Sequence, residues 1–319
     1  MEQIMRKKSL GNSCENFVGI LQECRLCPRE CGVNRLNGKT GFCGMDGKIR
    51  AARAALHMWE EPCISGEKGS GAVFFSGCGL RCCFCQNREI AIGDCGLEIT
   101  LERLAEIFME LQEQGAANLN LVTGAHYVPQ IISALDMARE KGFDIPVVYN
   151  SSGFESVKTL QMLEGYVDIY LPDFKYMEES LAEKYSRAPR YPEVAKAALA
   201  EMVRQTGACE FGEDGYIRKG TIVRHLILPG HTKNSMKVLE YLHETYGKKI
   251  YISIMNQYTP IYEQEKFLEL NRKVTRREYE KVLDFAMELG IENGFIQDGE
   301  TASESFIPAF DYEGIENRG

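Results

Sequence analysis

The chain has 319 residues and a formal net charge of −9, with 26% charged and 44% hydrophobic residues. That length suits one α/β barrel-sized domain with a small appendage, and the acidic balance argues against nucleic acid as a partner, since no broad basic excess can face a phosphate backbone. No apolar run approaches the ~20 residues that span a bilayer, and the N-terminal stretch MEQIMRKKSLGNS lacks the apolar core of a secretory signal; no membrane partner is expected, and the expected compartment is the cytoplasm.

Twelve cysteines are many for such a chain, and eleven of them precede residue 96, leaving Cys209 alone beyond it. A reducing compartment disfavours disulfides, so the clustering points to metal. In chain order, residues 1–66 carry Cys24-x2-Cys27-x3-Cys31 and then Cys43, within CRLCPRECGVNRLNGKTGFCG. Pro28 and several glycines make this stretch turn-rich, as a knuckle around a metal requires. Four thiols without a histidine fit a structural zinc, a mononuclear iron or a further iron–sulfur cluster. Cys14, Cys63 and Cys95 have no spacing partner and read as ordinary thiols. The segment His57–Pro62, with the single tryptophan Trp59, is expected to pack against the main domain. The polar linker SGEKGS (65–70) sets a boundary near residue 66. Residues 1–66 are thus expected to form a cysteine-rich metal-binding extension, 67–300 the main domain and 301–319 a C-terminal tail.

The apolar run Ala72–Phe75 predicts a strand ending at Ser76-Gly77. Directly after it come Cys78, Cys82 and Cys85, spaced Cys-x3-Cys-x2-Cys. Three thiolates on one loop converge on corner irons of a cubane cluster and leave the fourth iron open to a small molecule. These three are the candidate catalytic and cluster-holding residues. Cys83 reads as a non-ligand, because two adjacent residues do not easily reach the same cluster.

Beyond the loop, strand-like and helix-like segments alternate, the pattern of a parallel β/α fold. Thr100 predicts a helix cap, with Leu101, Leu104, Phe108 and Leu111 at helical spacing. Leu119–Val122 reads as a strand ending at Thr123-Gly124. A helix follows from about Pro129, then a strand Pro146–Tyr149 delivering Asn150-Ser151-Ser152-Gly153. Glu155–Leu163 reads as helical and closed by Gly165; Val167–Leu171 is a strand delivering Asp173 and Lys175. A helical region at about 190–205, a strand Thr221–Leu228, a helix at about 235–246 and a strand Ile250–Ile254 complete the series. Thr275 and Glu278 predict a capping box for the last helix, which Gly290 ends. Six β/α units are too few for a closed eight-stranded barrel, so an open, partial barrel is expected. Its ligand site belongs at the carboxyl ends of the strands.

Cys78–Asn87 (the three-cysteine motif followed by Gln-Asn), NSSGFE at 150–155, DIYLPDFK at 168–175 and HLILPG at 225–230 together resemble the radical S-adenosylmethionine (SAM) superfamily. The resemblance is to its pyruvate formate-lyase activating enzyme-like branch, in members that carry a CPREC segment ahead of the cluster motif. It implies an open (β/α)6 barrel, a [4Fe–4S] cluster on Cys78, Cys82 and Cys85, and reductive cleavage of SAM to a 5′-deoxyadenosyl radical that abstracts a substrate hydrogen atom. It further implies a flavodoxin or ferredoxin as reductant and a glycyl-radical enzyme or other protein as substrate. A small-molecule substrate is the alternative, and a non-catalytic iron–sulfur electron carrier the rival from another class. Asn87 is implied in the SAM pocket, and Asp173 and Lys175 beside the SAM carboxylate, with Asn150 and Ser151 next to them. Where the family usually has Gly-Gly-Glu, this chain reads Thr123-Gly124-Ala125-His126, whose backbone carbonyls can accept from the SAM ammonium. His126 is expected to line the pocket. No cysteine-rich insertion for extra clusters follows Cys95.

Overall fold

A computed structural model describes residues 17–296 and 308–316. Cys14 and most of the expected tail lie outside the described residues. Ten strands are found among them: β1 (Ile49–His57), β2 (Ser70–Phe75), β3 (Leu97–Ile99), β4 (Leu119–Val122), β5 (Val147–Ser151), β6 (Ile169–Pro172), β7 (Glu210–Phe211), β8 (Ile217–Leu226), β9 (Tyr251–Met255) and β10 (Gly294–Ile296). They form one sheet in the order β10-β9-β8-β6-β5-β4-β2-β1-β3, with β7 attached to β8. From β2 to β10 every neighbouring pair on that path is parallel, as crossover helices dictate. The six strands expected from sequence are β2, β4, β5, β6, β8 and β9, and β10 adds a seventh parallel member. The order is linear rather than circular, so the barrel is open.

Among the described residues these helices cover the outside of the sheet: α1 (Leu101–Glu113), α2 (Val128–Glu140), α3 (Val157–Met162), α4 (Glu179–Ser186), α5 (Tyr191–Thr206), α6 (Thr232–Tyr246) and α7 (Arg276–Glu288). Short turns of helix at Pro62–Ser65 and Arg88–Ile92 supplement them. The Thr100 side chain accepts from the Arg103 amide at 3.1 Å and starts α1. Thr275 and Glu278 form the capping box of α7. The stripe Leu104, Phe108 and Leu111 of α1 and Ile131, Leu135 and Ala138 of α2 bury against Phe75, Leu119 and Leu121 of the sheet. Each of these leucine, isoleucine and phenylalanine side chains contributes about 1.5–3 kcal/mol by leaving water. Inside the barrel a separate apolar group joins Val148, Ile169, Leu171 and Ile222 to Cys63 and Ile64. The turn Pro62–Ser65 therefore plugs the barrel from within.

Several elements differ from the sequence expectation. β1 lies before residue 66 yet pairs antiparallel with β2 from Ala51–Phe75 to His57–Ser70, so the sheet runs across the expected boundary. The helix expected over 155–163 begins only at Val157, because the Glu155 side chain turns inward, 3.3 Å from Tyr149 Oη. Residues 308–316 lie along β1, where the Ala54 amide donates to the Glu313 carbonyl at 2.8 Å and that of Tyr312 to Ala52 at 3.1 Å. The Arg103 guanidinium gathers the carbonyls of Gly314, Ile315 and Glu316 at 3.0–3.2 Å.

Side chains on both sides fasten the cysteine knuckle to the barrel. Thr159 Oγ1 donates to the Leu26 carbonyl at 2.7 Å. Arg35, 1% exposed, donates to the carbonyls of Asp46 and His126. Arg29 donates through Nε to the Gly79 carbonyl at 2.9 Å, inside the cluster loop. Among the described residues no helix is long and apolar enough to cross a membrane.

Candidate functional site

β2 ends in the buried pair Phe74 and Phe75, and the chain then turns sharply. Gly77 has φ +87°, and a Cβ there would lie 2.4 Å from Met45 Cγ and 2.9 Å from the Cys43 carbonyl. Only glycine lets the loop pass so close to the knuckle while adopting a left-handed conformation. The loop then places Cys78, Cys82 and Cys85 on the wall of a cavity of about 700 Å³. Burial pushes the Cys82 thiol up, and pushes Cys85 up to about 12, where the charges of Cys82 and Cys78 add to the effect. Cys82 and Cys85, whose thiols resist ionisation chiefly because of burial, are relieved when a cationic metal core takes their protons' place. The donor set thus fits an iron–sulfur cluster. Cys83 is absent from the wall; its amide donates to the Tyr185 carbonyl at 2.8 Å and its own carbonyl accepts from Gln264.

Asn87, Thr123, Asn150, Ser151, Asp173 and Lys175 line the same cavity. Asn87 comes from the cluster loop, just before the turn Arg88–Ile92, and the carboxyl ends of β4, β5 and β6 bring the others. Lys175 Nζ pairs with Asp173 Oδ2 at 2.5 Å; burial alone would lower the lysine pKa, but the Asp173 charge and hydrogen bond, joined by the nearby Cys82 and Tyr191, together hold it above the ordinary value. The two strand-end turns also touch. Gly153, at φ +73°, approaches so closely that a Cβ would lie 2.2 Å from the Asp173 carbonyl oxygen. Tyr191 Oη accepts from the Lys175 amide at 2.9 Å and reaches the Ser152 and Asp173 carbonyls at 2.9 and 3.0 Å. Thr123 itself sits at φ +61°, an unusual conformation for a β-branched residue.

Gly124 and His126 do not line the cavity, which corrects the sequence expectation for both. A Cβ on Gly124 would meet Ile131 Cδ1 at 2.6 Å, so that residue faces the α2 packing layer. His126 is 3% exposed, and its Nε2 lies 2.7 Å from the Ser76 carbonyl. Burial, helped by the Arg35 charge, pushes its pKa down to about 3. The ring is a neutral brace beneath the cluster loop.

The cavity also has walls that the sequence reading assigned elsewhere. His57–Pro62, expected to pack against the main domain, turns into the barrel and lines the cavity, with Trp59 59% exposed. Glu61 binds Arg224 through Nε at 2.8 Å and Nη2 at 2.6 Å. Glu60 pairs with the same guanidinium and accepts from Asn120 Nδ2 at 2.8 Å. Burial would raise the Glu61 pKa, but the Arg224 charge together with the hydrogen bonds the carboxylate accepts, from Arg224 first, holds the carboxyl below its ordinary range. The signal was a lone arginine inside the apolar strand text TIVRHLIL, whose charge needs a buried partner.

Among the knuckle cysteines, Cys24 and Cys43 are buried, Cys27 is half-buried and Cys31 exposed. Burial pushes Cys27 up to about 12, with Cys43, Glu155 and Cys24 adding to the effect. The Phe42 amide donates to Cys31 Sγ at 3.3 Å. Among the described residues no three His, Cys, Asp or Glu side chains converge closely enough to hold a single metal ion.

An open β/α barrel that presents three thiols of a Cys-x3-Cys-x2-Cys loop to one cavity defines a class of enzyme that works from a cluster at the mouth of the barrel. Residues 72–242 match the family model of the radical SAM superfamily, and the chain belongs to that superfamily. Membership implies an enzyme that uses a [4Fe–4S] cluster and SAM. Over 298 residues the chain is 27% identical to an uncharacterised protein of Methanocaldococcus jannaschii, covering 91% of this chain and 82% of that one. Among solved structures it is similar to Streptococcus suis SuiB bound to the precursor peptide SuiA, with a TM-score of 0.45, 15% identity and coverage of 70% of this chain. The chain spans about half the length of SuiB, 47%. It is also similar to a domain of pyruvate-formate lyase-activating enzyme from Bacteroides vulgatus, with a TM-score of 0.37, 11% identity, 54% of this chain and 91% of that domain.

Two predictions follow from this chemistry. Replacing Arg224 by leucine strands two carboxylates whose side chains are 7% and 5% exposed, so the midpoint of urea unfolding should report a loss of about 3–5 kcal/mol. Glu155 is pushed up to about 8 by burial. Its raised pKa means that the unfolded chain ionises first, so stability is full below about 4.3 and declines as pH rises to about 8. In Glu155→Gln this part of the decline should vanish, read from unfolding midpoints across that window.

Proposed function

We propose that Cys78, Cys82 and Cys85 hold the [4Fe–4S] cluster and that the facing polar residues hold SAM. The observation that carries this reading is the convergence of these three thiols with Asn87, Asn150, Ser151, Asp173 and Lys175 on one cavity. When bound, the reduced cluster supplies the electron that splits SAM into methionine and a 5′-deoxyadenosyl radical. Lys175, fixed by Asp173, offers its ammonium to the methionyl carboxylate, with Asn150 and Ser151 as neutral donors beside it. The carbonyl of Thr123, which lines the cavity, accepts from the methionyl ammonium in place of a glutamate. The plug of Glu60, Glu61 and Arg224 closes the cavity floor and limits water at the reacting carbon.

The substrate in this proposal is a protein, in the manner of an enzyme that activates a glycyl-radical partner, and the electron comes from a flavodoxin or ferredoxin in the cytoplasm. The resemblance of the segments NSSGFE and DIYLPDFK to those of the activating-enzyme-like branch supports this reading. The second reading is a small-molecule substrate, favoured by the closed cavity floor. Cys24, Cys27, Cys31 and Cys43 form a second metal site in this account, taking zinc, iron or an iron–sulfur cluster, and elemental and sulfide analysis distinguishes these.

The test is anaerobic. Reconstituted protein, reduced and given SAM, should release 5′-deoxyadenosine. Cys78→Ala, Cys82→Ala and Cys85→Ala should each lower the yield by at least 100-fold. An intact cluster that releases none contradicts the proposal.

A further inference from the structure

The thiol of Cys82 has a neighbour that the cavity does not supply. Ser186 Oγ donates to Cys82 Sγ at 3.1 Å. The serine is the last residue of α4 and is 2% exposed. Its oxygen also lies 2.8 Å from Tyr176 Oη, on a tyrosine that is fully buried. A serine has one hydroxyl proton. With that proton given to sulfur, the serine oxygen accepts from the phenol, so the chain runs from Tyr176 through Ser186 to Cys82.

The serine is held in register from two sides. The Cys83 amide donates to the carbonyl of Tyr185, the residue before it. From the knuckle, Arg29 donates through Nη2 to the Ser186 carbonyl at 3.0 Å and through Nη1 to that of Arg187 at 2.6 Å. Its Nε reaches Gly79, three residues before Cys82. The guanidinium stacks 3.8 Å from the centre of the Phe42 ring, which lies next to Cys43. One side chain of the CPREC segment therefore spans the cluster loop and the end of α4 together.

We infer that Ser186, supported by Tyr176 and clamped by Arg29, is a positioning residue that sets the reduction potential of the cluster through its hydrogen bond to the Cys82 sulfur. The inference rests on the reading that Cys78, Cys82 and Cys85 hold a cluster. Reduction adds one electron and no bond changes. The added negative charge spreads onto the sulfurs, so a donor aimed at one of them stabilises the reduced form more than the oxidised one. Water has no access to a side chain this buried, and loss of the donor leaves no substitute.

The experiment is a redox titration of anaerobic, reconstituted full-length protein, with dithionite as reductant and EPR of the reduced cluster as readout. Ser186→Ala keeps both backbone carbonyls that Arg29 uses and removes only the hydroxyl. It should carry the wild-type iron and sulfide content, with reduction disfavoured by several-fold to tenfold, a negative shift of up to about 59 mV for one electron. Ser186→Thr should restore the wild-type midpoint. Tyr176→Phe, which leaves the serine in place, should shift the midpoint in the same direction by less; it serves where the alanine variant does not fold. A Ser186→Ala protein of normal cluster content and unchanged midpoint overturns the inference while leaving the cluster assignment intact. A wild-type protein that assembles no cluster on the three cysteines overturns the assignment itself, and the inference with it.

Discussion

The direction shared by seven strands is the constraint on which the site depends. Because β2, β4, β5, β6, β8, β9 and β10 run parallel, every loop at their carboxyl ends opens on one rim. Register then sets which side chains meet: Phe74 lies opposite Val122, Val122 opposite Asn150, and Arg224 opposite Ser253, while Asp173 bridges to Arg224. A residue from β2 and one from β10 border the same cavity only because the sheet curls. A slip of one residue in any strand would turn its polar members into the helix layer.

The same curl creates an interior that has to be closed, and the chain does so with charge. Glu60 and Glu61 enter from the turn after β1 and meet Arg224 from β8. Desolvating three charges is costly, and good geometry offsets it: a bidentate pair, plus the Asn120 amide on the second carboxylate. Cys63 and Ile64, directly following, fill the space beneath with apolar contact. The knuckle seals the outside in a comparable way, with Arg29 and Arg35 spending their donors on carbonyls of the barrel loops.

Much of this was legible in the text of the chain. The six parallel strands, the Thr100 cap and the capping box at Thr275 rest on local signals, and local signals are what a sequence displays. The cysteine spacing placed the candidate site because three thiols on one loop stay together whatever the rest of the fold does. What escaped notice depends on distance. β1 reads IRAARAALH, an alanine-rich text with little β preference of its own, and becomes a strand because β2 lies beside it. The pairing of Glu61 with Arg224 spans 163 positions. His126 looked like a pocket residue from its place after β4, yet the short helical turn at Ala125–Tyr127 carries its ring under the cluster loop. Ser186 gave no motif signal at all; its importance comes from the end of α4 meeting the cluster loop.

The central claim is that three side-chain sulfurs, and no fourth, hold a cluster whose remaining iron takes SAM. EPR of the reduced, reconstituted protein with and without SAM tests it most directly. The account predicts a changed spectrum when SAM is added, reflecting a new ligand on one iron. An identical spectrum, recorded with full cluster content and saturating SAM, would contradict it.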